Sequence, residues 1–420
     1  MTRLAPREVS APGPAPSAPL DAAVASERTI LFLVGAVQFV NILDFMMVMP
    51  LGPDFAAALG IPISSIGLVG GAYTASAAVS GLAGAFILDR FDRRIALAVA
   101  LAGLTVGTAM GGLALGLPTL LAARVLAGFF GGPATSLALA VVSDVVPPER
   151  RGQAMGKVMG AFSVASVLGV PAGLEIARLG GWRAPFFAVA ALGAVISVSA
   201  VWLLPPLRGH LARAQPVTFA ALRGVLGRPI VRWSYAVTAA VMTGGFILIP
   251  NFSAYIQNNL AYPRDRLWIL YLVGGAFSFV GLRLLGGLAD RFGSVVVAWA
   301  TTLPLAALTW FWFAAYDPRV PILVCFTVFM ILNSGRNVAY NTLTSKVPRA
   351  DERARFMSMQ SAVQHMSGAV GAMGSSLLLT ELPGGRLGGV ERMTVVAIVC
   401  FGIAPILMGQ VAKRLDGAGA

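Results

Sequence analysis

Asp44 is the only acid well inside an uncharged run of this chain, in NILDFMMVMP. A carboxylate at that depth in an apolar segment is costly unless it is paired, hydrated or protonated. Burial disfavours its charged form and a nearby arginine favours it. Its chemistry is proton uptake and release, or the binding of a polar solute. The alternative is a structural acid, hydrogen-bonded in the interior, that never changes charge. Arg124 is its expected partner, because the two fall at similar depths when the segments carrying them run in opposite directions. An interfacial arginine reaching for headgroups is the other reading of Arg124.

A second set of residues reads as a gate. In GLAGAFILDRFDRR, residues 81–94, an uncharged run ends in Asp89, followed at once by Arg90, Arg93 and Arg94. A looser copy, LGGLADRFG at 285–293, carries Gly286, Asp290, Arg291 and Gly293, and its aspartate lies 201 positions after the first. An aspartate there accepts hydrogen bonds from the first amides of a neighbouring helix, and the arginines pair with acids across the same face. Gly81, Ala83, Gly84 and Ala85 leave room for another helix to come close. Asp92 puts a second acid among three arginines, so the first latch is expected to rest more on ion pairing. The plainer reading is a set of topology arginines beside a helix-terminal acid.

Further polar groups sit inside apolar runs. Arg336 and Asn337 lie in the stripe NSGRNVAYN, and Gln364 and His365 follow in MQSAVQHMSG. In NFSAYIQNN, helical spacing places Asn251, Tyr255 and Asn258 on one face. All are cavity candidates, although a satisfied packing histidine is the better reading of His365.

The elements that must carry these groups follow from composition. Apolar residues make up 57% of 420, mean hydropathy is +0.79 and 12% of residues are charged, against about 25% charged in soluble domains. This is an all-α integral membrane protein. Twelve segments are long enough to cross a bilayer, six in 29–204 and six in 229–412, with a Pro- and Arg-bearing linker at 205–228 and short tails at 1–28 and 413–420. The Ala/Pro/Ser-rich tail 1–28 is expected to be disordered. With both termini cytoplasmic, 21 of the 31 basic residues fall on the inner side, 7 on the outer side and 3 inside spans, as the positive-inside rule requires. The net charge of +13 therefore marks topology and contact with anionic lipid rather than a nucleic-acid surface. SDVVPPERRGQAMG at 143–156 also resembles TSKVPRADERARFMS at 344–358. Each follows a span with one arginine, so a six-helix unit is duplicated into two pseudo-symmetric bundles.

On these motifs the chain resembles the major facilitator superfamily over about 29–412. That family's signature is a glycine, Asp-Arg four residues on, another glycine and a basic pair. The first copy has Ala85 and Asp92 in place of the glycines, and the second keeps Gly286 and Gly293 but has Ser294 and Val295 for the basic pair. The resemblance implies twelve helices in two bundles and alternating access. Arg124 with Gly128, Gly131 and Gly132 resembles the fourth helix of the family's drug and sugar exporters, where that arginine is linked to proton transfer. In the fifth span, Gly160 and Gly169 match the exporters' spacing, while Gly173 is followed by Leu174 and the proline comes early, at Pro171. GWRAPF at 181–186 is similar to the start of the sixth helix in bacterial export-type members.

The expected function is secondary transport across a bacterial inner membrane, by a protein functional as a monomer. The expected mode is proton-coupled export of a small neutral or weakly charged solute. An importer or uniporter, or a receptor or scaffold without flux, stands as the alternative. No nucleotide-binding loop, zinc spacing or catalytic triad is present in the sequence, so neither a cofactor nor a metal is expected and the chain does not read as an enzyme.

Overall fold

A hydrocarbon interior offers the backbone no partners, so a chain of this composition must satisfy its own amides as helices. The computed structural model describes residues 26–208, 211, 219–349 and 352–417. The first half consists of α1 (Glu27–Val48), α2 (Ile66–Ile87), α3 (Arg93–Gly112), α4 (Leu117–Val145), α5 (Glu149–Gly180) and α6 (Ala184–Leu203). A short helix, Phe219–Gly227, then leads into the second half. That half consists of α7 (Pro229–Asn259), α8 (Leu267–Phe292), α9 (Ser294–Ala314), α10 (Ile322–Thr344), α11 (Arg353–Leu378) and α12 (Val390–Asp416). The strands β1 (Thr380–Leu382) and β2 (Arg386–Gly388) form an antiparallel hairpin between α11 and α12. The expected tails are shorter than read, because α1 already begins at Glu27 and α12 runs to Asp416. Residues 1–25 lie outside the described set.

Among the described residues, eleven of these helices are long and apolar enough to span a bilayer. The twelfth, α11, has 26 residues and is the more polar helix because its polar side chains meet protein. Gln364 donates to the Tyr340 hydroxyl, Gln360 to Thr344 Oγ1 at 3.3 Å, and Ser375 Oγ accepts from Asn251 at 2.9 Å.

Helix ends follow local chemistry. Ser26 caps α1 by accepting from Thr29 N, and Asp92 caps α3 by accepting from Arg94 N at 3.0 Å. Gly293, at φ +88°, ends α8 and turns the chain straight into α9. A left-handed residue there needs glycine, which accounts for Gly293 in the second motif. Two helices contain π-turns, at Ala165–Gly169 in α5 and Tyr255–Asn259 in α7. Pro171 has no N–H to offer the turn before it, and the wider π-turn accommodates that loss.

The halves repeat one plan. α1 packs on α6, and α3 on α4 and α6; likewise α7 packs on α12, and α9 on α10 and α12. Small residues set the closest approaches. A side chain at Gly128 or Gly131 would overlap the Tyr73 carbonyl or hydroxyl, so α4 lies directly on α2. Across the halves, α2 meets α11 where Gly67 and Gly71 face Ala372 and Met373, and α5 meets α8 where Gly275 faces Ser166 and Val167.

The end of the bundle where α1 begins and α12 finishes is called the terminal end, and the opposite one the distal end. One apolar core runs through the first half and continues into the distal part of the second, through Phe252, Tyr255 and Trp312. A separate core, around Tyr235, Tyr340, Phe356 and Met408, fills the terminal part of the second half alone. Among the described residues, the apolar core joins the halves distally, and no core cluster bridges them at the terminal end.

Candidate functional site

The first half buries a complete ion pair. Asp44 is fully buried and Arg124 is 1% exposed. Arg124 Nη1 donates to both Asp44 carboxylate oxygens at 3.1 Å, and its Nη2 reaches the Asp44 carbonyl at 3.5 Å. Thr108 of α3 lies 2.7 Å from Asp44 Oδ1 and 2.9 Å from the Leu104 carbonyl. Its single proton serves one of the two. The Tyr73 ring lies under the guanidinium, 4.6 Å from Cζ to ring centroid, a cation–π contact. The Tyr73 hydroxyl donates to Asn41 Oδ1 at 2.8 Å, and Asn41 Nδ2 donates to the Gly131 carbonyl at 3.1 Å and to Thr135 Oγ1 at 2.7 Å. The sequence indicated Asp44 and Arg124, and the structure brings them together. It gave no sign of Thr108 or Asn41 in this network, because single neutral polar residues are ordinary in membrane helices.

Phe45, next to Asp44, reaches the other half. Its ring centroid is 5.2 Å from that of Tyr73 and 5.8 Å from that of Phe246 on α7. One turn of α1 therefore holds the buried pair on one side and an aromatic bridge between the halves on the other.

At the terminal end, the ion pairs described each stay within one half. Arg93 pairs with Asp144 of α4, Arg150 with Glu27, Arg208 with Asp92, and Arg228 with Glu352. Asp92 is not a latch between halves here. Besides capping α3 it accepts from Leu207 N at 3.1 Å and Arg208 Nε at 3.0 Å, tying the segment after α6 to the start of α3. Arg94 donates to the Leu204 carbonyl at 3.4 Å. Arg90, Asp290 and Arg291 are exposed, and the Arg291 guanidinium lies over the Phe292 ring. Gly81 has no neighbour where a side chain would stand, and at Gly286 one would make only ordinary contact with Val338. The side chains of Asp89 and Ala85 lie outside the described set.

At the distal end polar contacts do cross. Arg264, just before α8, makes a bidentate pair with Asp54 through three contacts of 2.7–2.9 Å. Ser253 Oγ donates to the Pro50 carbonyl at 2.6 Å, and Glu381 on β1 accepts from Ile63 N at 2.9 Å. Asn258 and Asn259 hold the hairpin by bonding Gly385 and Leu387. The sequence did not single out Asp54 or Glu381, since nothing local ties an acid to an arginine 210 residues away.

The remaining cavity candidates separate. Asn251 is fully buried against Ser375 and Met393, and the Tyr255 hydroxyl donates to the Trp312 carbonyl at 2.7 Å. Asn258 turns instead to the hairpin, donating to the Gly385 carbonyl at 2.7 Å, and the π-turn that starts at Tyr255 breaks the helical spacing that would align it with the other two. Asn337, Gln364 and His365 are half-buried. His365 Nδ1 lies 2.9 Å from the Ser361 carbonyl, so the neutral ring presents Nε2 as an acceptor. Arg336 is 1% exposed and stacks over Phe401. In α5, a side chain at Gly169 would press on Leu43 of α1, one at Gly160 would sit 3.0 Å from its own helix at the Lys157 carbonyl, and one at Gly173 would touch Met47 at 3.8 Å. Pro171 is buried.

Twelve spanning helices in two matching halves, joined at one end around buried polar side chains, define an integral membrane transporter of small solutes. The family model for the Major Facilitator Superfamily matches residues 34–372, and the chain belongs to that superfamily. It is 29% identical over 297 residues to a chloramphenicol resistance protein of Streptomyces lividans, covering 67% of this chain and 71% of that one. It is 26% identical over 351 residues to the purine ribonucleoside efflux pump NepI of Escherichia coli O6:H1, covering 82% and 84%. Among solved structures, a bacterial homologue of the human lysosomal transporter Spinster, inward-facing and unoccupied, superposes with a TM-score of 0.78 at 17% identity, over 93% of this chain and 98% of that one.

Proposed function

We propose that this transporter exports a small neutral or weakly charged organic solute from the bacterial cytoplasm in exchange for protons, with both termini cytoplasmic and one chain sufficient. The observation that carries the coupling is the Asp44–Arg124 pair, a titratable group locked in the interior beside a contact between the halves. Protonating Asp44 removes the charge that holds Arg124 and loosens α1 from α3 and α4. Phe45, on the same turn, then shifts against Phe246, and the halves 29–204 and 229–412 rock. With the proton lost to the cytoplasm, the ion pair forms again. A structure with the pair made, and with no core cluster among the described residues bridging the halves at the terminal end, corresponds to that last state.

The arginine distribution supports a cytoplasmic terminal end, in the inner membrane. In the opposite state, Asp89 to Arg94 and Gly286 to Gly293 close that end, and the space beside Gly81 receives the neighbouring helix. The name of one relative, an efflux pump, supports export. Asp44, the one acid deep in a span, is already neutralised by Arg124 and the bridge at the apex is aromatic, which supports a partly apolar cargo. A proton entering gains about 2.3 kcal/mol per 100 mV, enough to drive a modest solute gradient.

The test is expression in an efflux-deficient bacterium challenged with chloramphenicol-type antibiotics, purine ribonucleosides and sugars. Export predicts lower intracellular accumulation of at least one compound, abolished by a protonophore. Higher accumulation would indicate import. No change for any compound that binds saturably would favour a receptor.

A further inference from the structure

Arg336 is the counterpart in α10 of the single arginine in α4, yet its electrostatics are opposite. Arg124 has Asp44, whereas Arg336 has no carboxylate within 4 Å among the described residues. Every acid of the second half among the described residues lies in a loop or in a terminal turn of a helix. Arg336 lies eight positions before the end of α10, about 12 Å by helix rise, so no described acid of its own bundle sits at its depth.

A guanidinium stays charged and offers five N–H groups. Here Nη2 donates to Asn333 Oδ1 at 2.8 Å and approaches the Val241 carbonyl at 3.5 Å. Nε and Nη1, carrying the other three N–H groups, are buried without a partner. The group lies against α7 at Val241 and Gly245 and over the Phe401 ring of α12, 4.2 Å from Cζ to centroid. The ring face compensates part of the charge but accepts none of those N–H groups in the plane of the guanidinium. A buried, uncompensated cation costs far more than one paired and hydrogen-bonded.

We infer that Arg336 binds a monoanion, taking its counter-charge from solution either as chloride or as the carboxylate of an organic solute. The second half thus completes with a ligand what the first half completes with Asp44. The inference goes beyond the proposed function and rests on neither its direction nor its proton coupling.

The test uses the full chain purified in detergent and follows the unfolding midpoint while sodium isethionate, whose sulfonate is far bulkier than chloride, is replaced at constant ionic strength. Sodium chloride is one arm; sodium acetate and sodium benzoate form the other. The expected result is a midpoint rising by about 2 °C per tenfold of anion above its Kd. A rise in chloride assigns the site to a free anion. A rise confined to the carboxylates assigns it to a solute's acid group. A flat midpoint in both arms overturns the inference.

Asn333→Asp places a carboxylate where an amide oxygen already touches Nη2. It is expected to stabilise the protein in isethionate and abolish the anion response, and Arg336→Gln is expected to abolish the response as well. If Asn333→Asp keeps the full response, the site is not at Arg336. No step of this test reads transport, so its failure leaves the proton-coupling proposal untouched, and the reverse also holds.

Discussion

Asp44→Asn keeps the shape of the side chain and removes its charge. Thr108 can still donate to the remaining oxygen, but Arg124 loses the carboxylate that meets its Nη1 at 3.1 Å twice over. What remains is a guanidinium 1% exposed, with Nε already unpartnered and Tyr73 beneath it. Removing one partner of a buried pair costs about 3–5 kcal/mol, mostly from the charge left behind, whereas removing both costs little. The assay is thermal unfolding of purified parent, Asp44→Asn, Arg124→Gln and the double variant. Each single variant is expected to lose that much stability. The double variant should recover most of it, giving a coupling energy of about 3 kcal/mol or more. If Asp44→Asn unfolds with the parent, or the two losses simply add, the pair does not hold the first half as described.

Further expectations concern other contacts. Arg264→Gln should weaken the distal closure by about 1 kcal/mol, since the Arg264–Asp54 pair is a quarter exposed. Spin labels across the distal end should then report a larger open population, restored by the swap of Asp54→Arg with Arg264→Asp. Gly128→Val must displace the Tyr73 carbonyl, at about 1–3 kcal/mol, and should lower the yield of folded protein far more than Gly81→Val, which meets nothing. Burial alone would raise the Asp92 carboxyl, but hydrogen bonds from Leu207 N, Arg94 N and Arg208 outweigh it and hold the group below its ordinary value. A carboxyl held lower when folded contributes fully above about pH 5 and loses that contribution as pH falls through the ordinary and then the lowered value. The stability gap between parent and Asp92→Asn should be constant above about pH 5 and shrink in acid, as unfolding midpoints across a pH series would show.

Much of this architecture is written in single positions. An acid in NILDFMM and an arginine near the start of the fourth span could be matched from depth alone, because antiparallel helices of known rise fix how far into the membrane each residue lies. The repeated Asp-Arg loops marked the duplication. The partner of the first loop was not legible, since Asp144 meets Arg93 only through tertiary folding. Asp92 looked like part of a latch because charge clusters are visible in sequence, whereas its actual bonds go to the backbone of Leu207 and Arg94 and to Arg208. The faces of α7 were misjudged beyond Tyr255 because a π-turn departs from the 3.6-residue period that sequence reading relies on. The distal contacts left no local trace, since Asp54 and Ile63 lie between α1 and α2, Arg264 between α7 and α8, and Glu381 on β1 between α11 and α12.

The measurement closest to the central claim is solute flux in proteoliposomes under an imposed pH gradient, using the compound identified by the resistance screen. With protons driven one way, the parent should move that solute the other way against its own gradient. Flux should reverse when the pH gradient is reversed, and Asp44→Asn should equilibrate the solute without accumulating it. Flux by the parent that ignores the gradient, or uphill flux by Asp44→Asn equal to the parent's, would contradict the account.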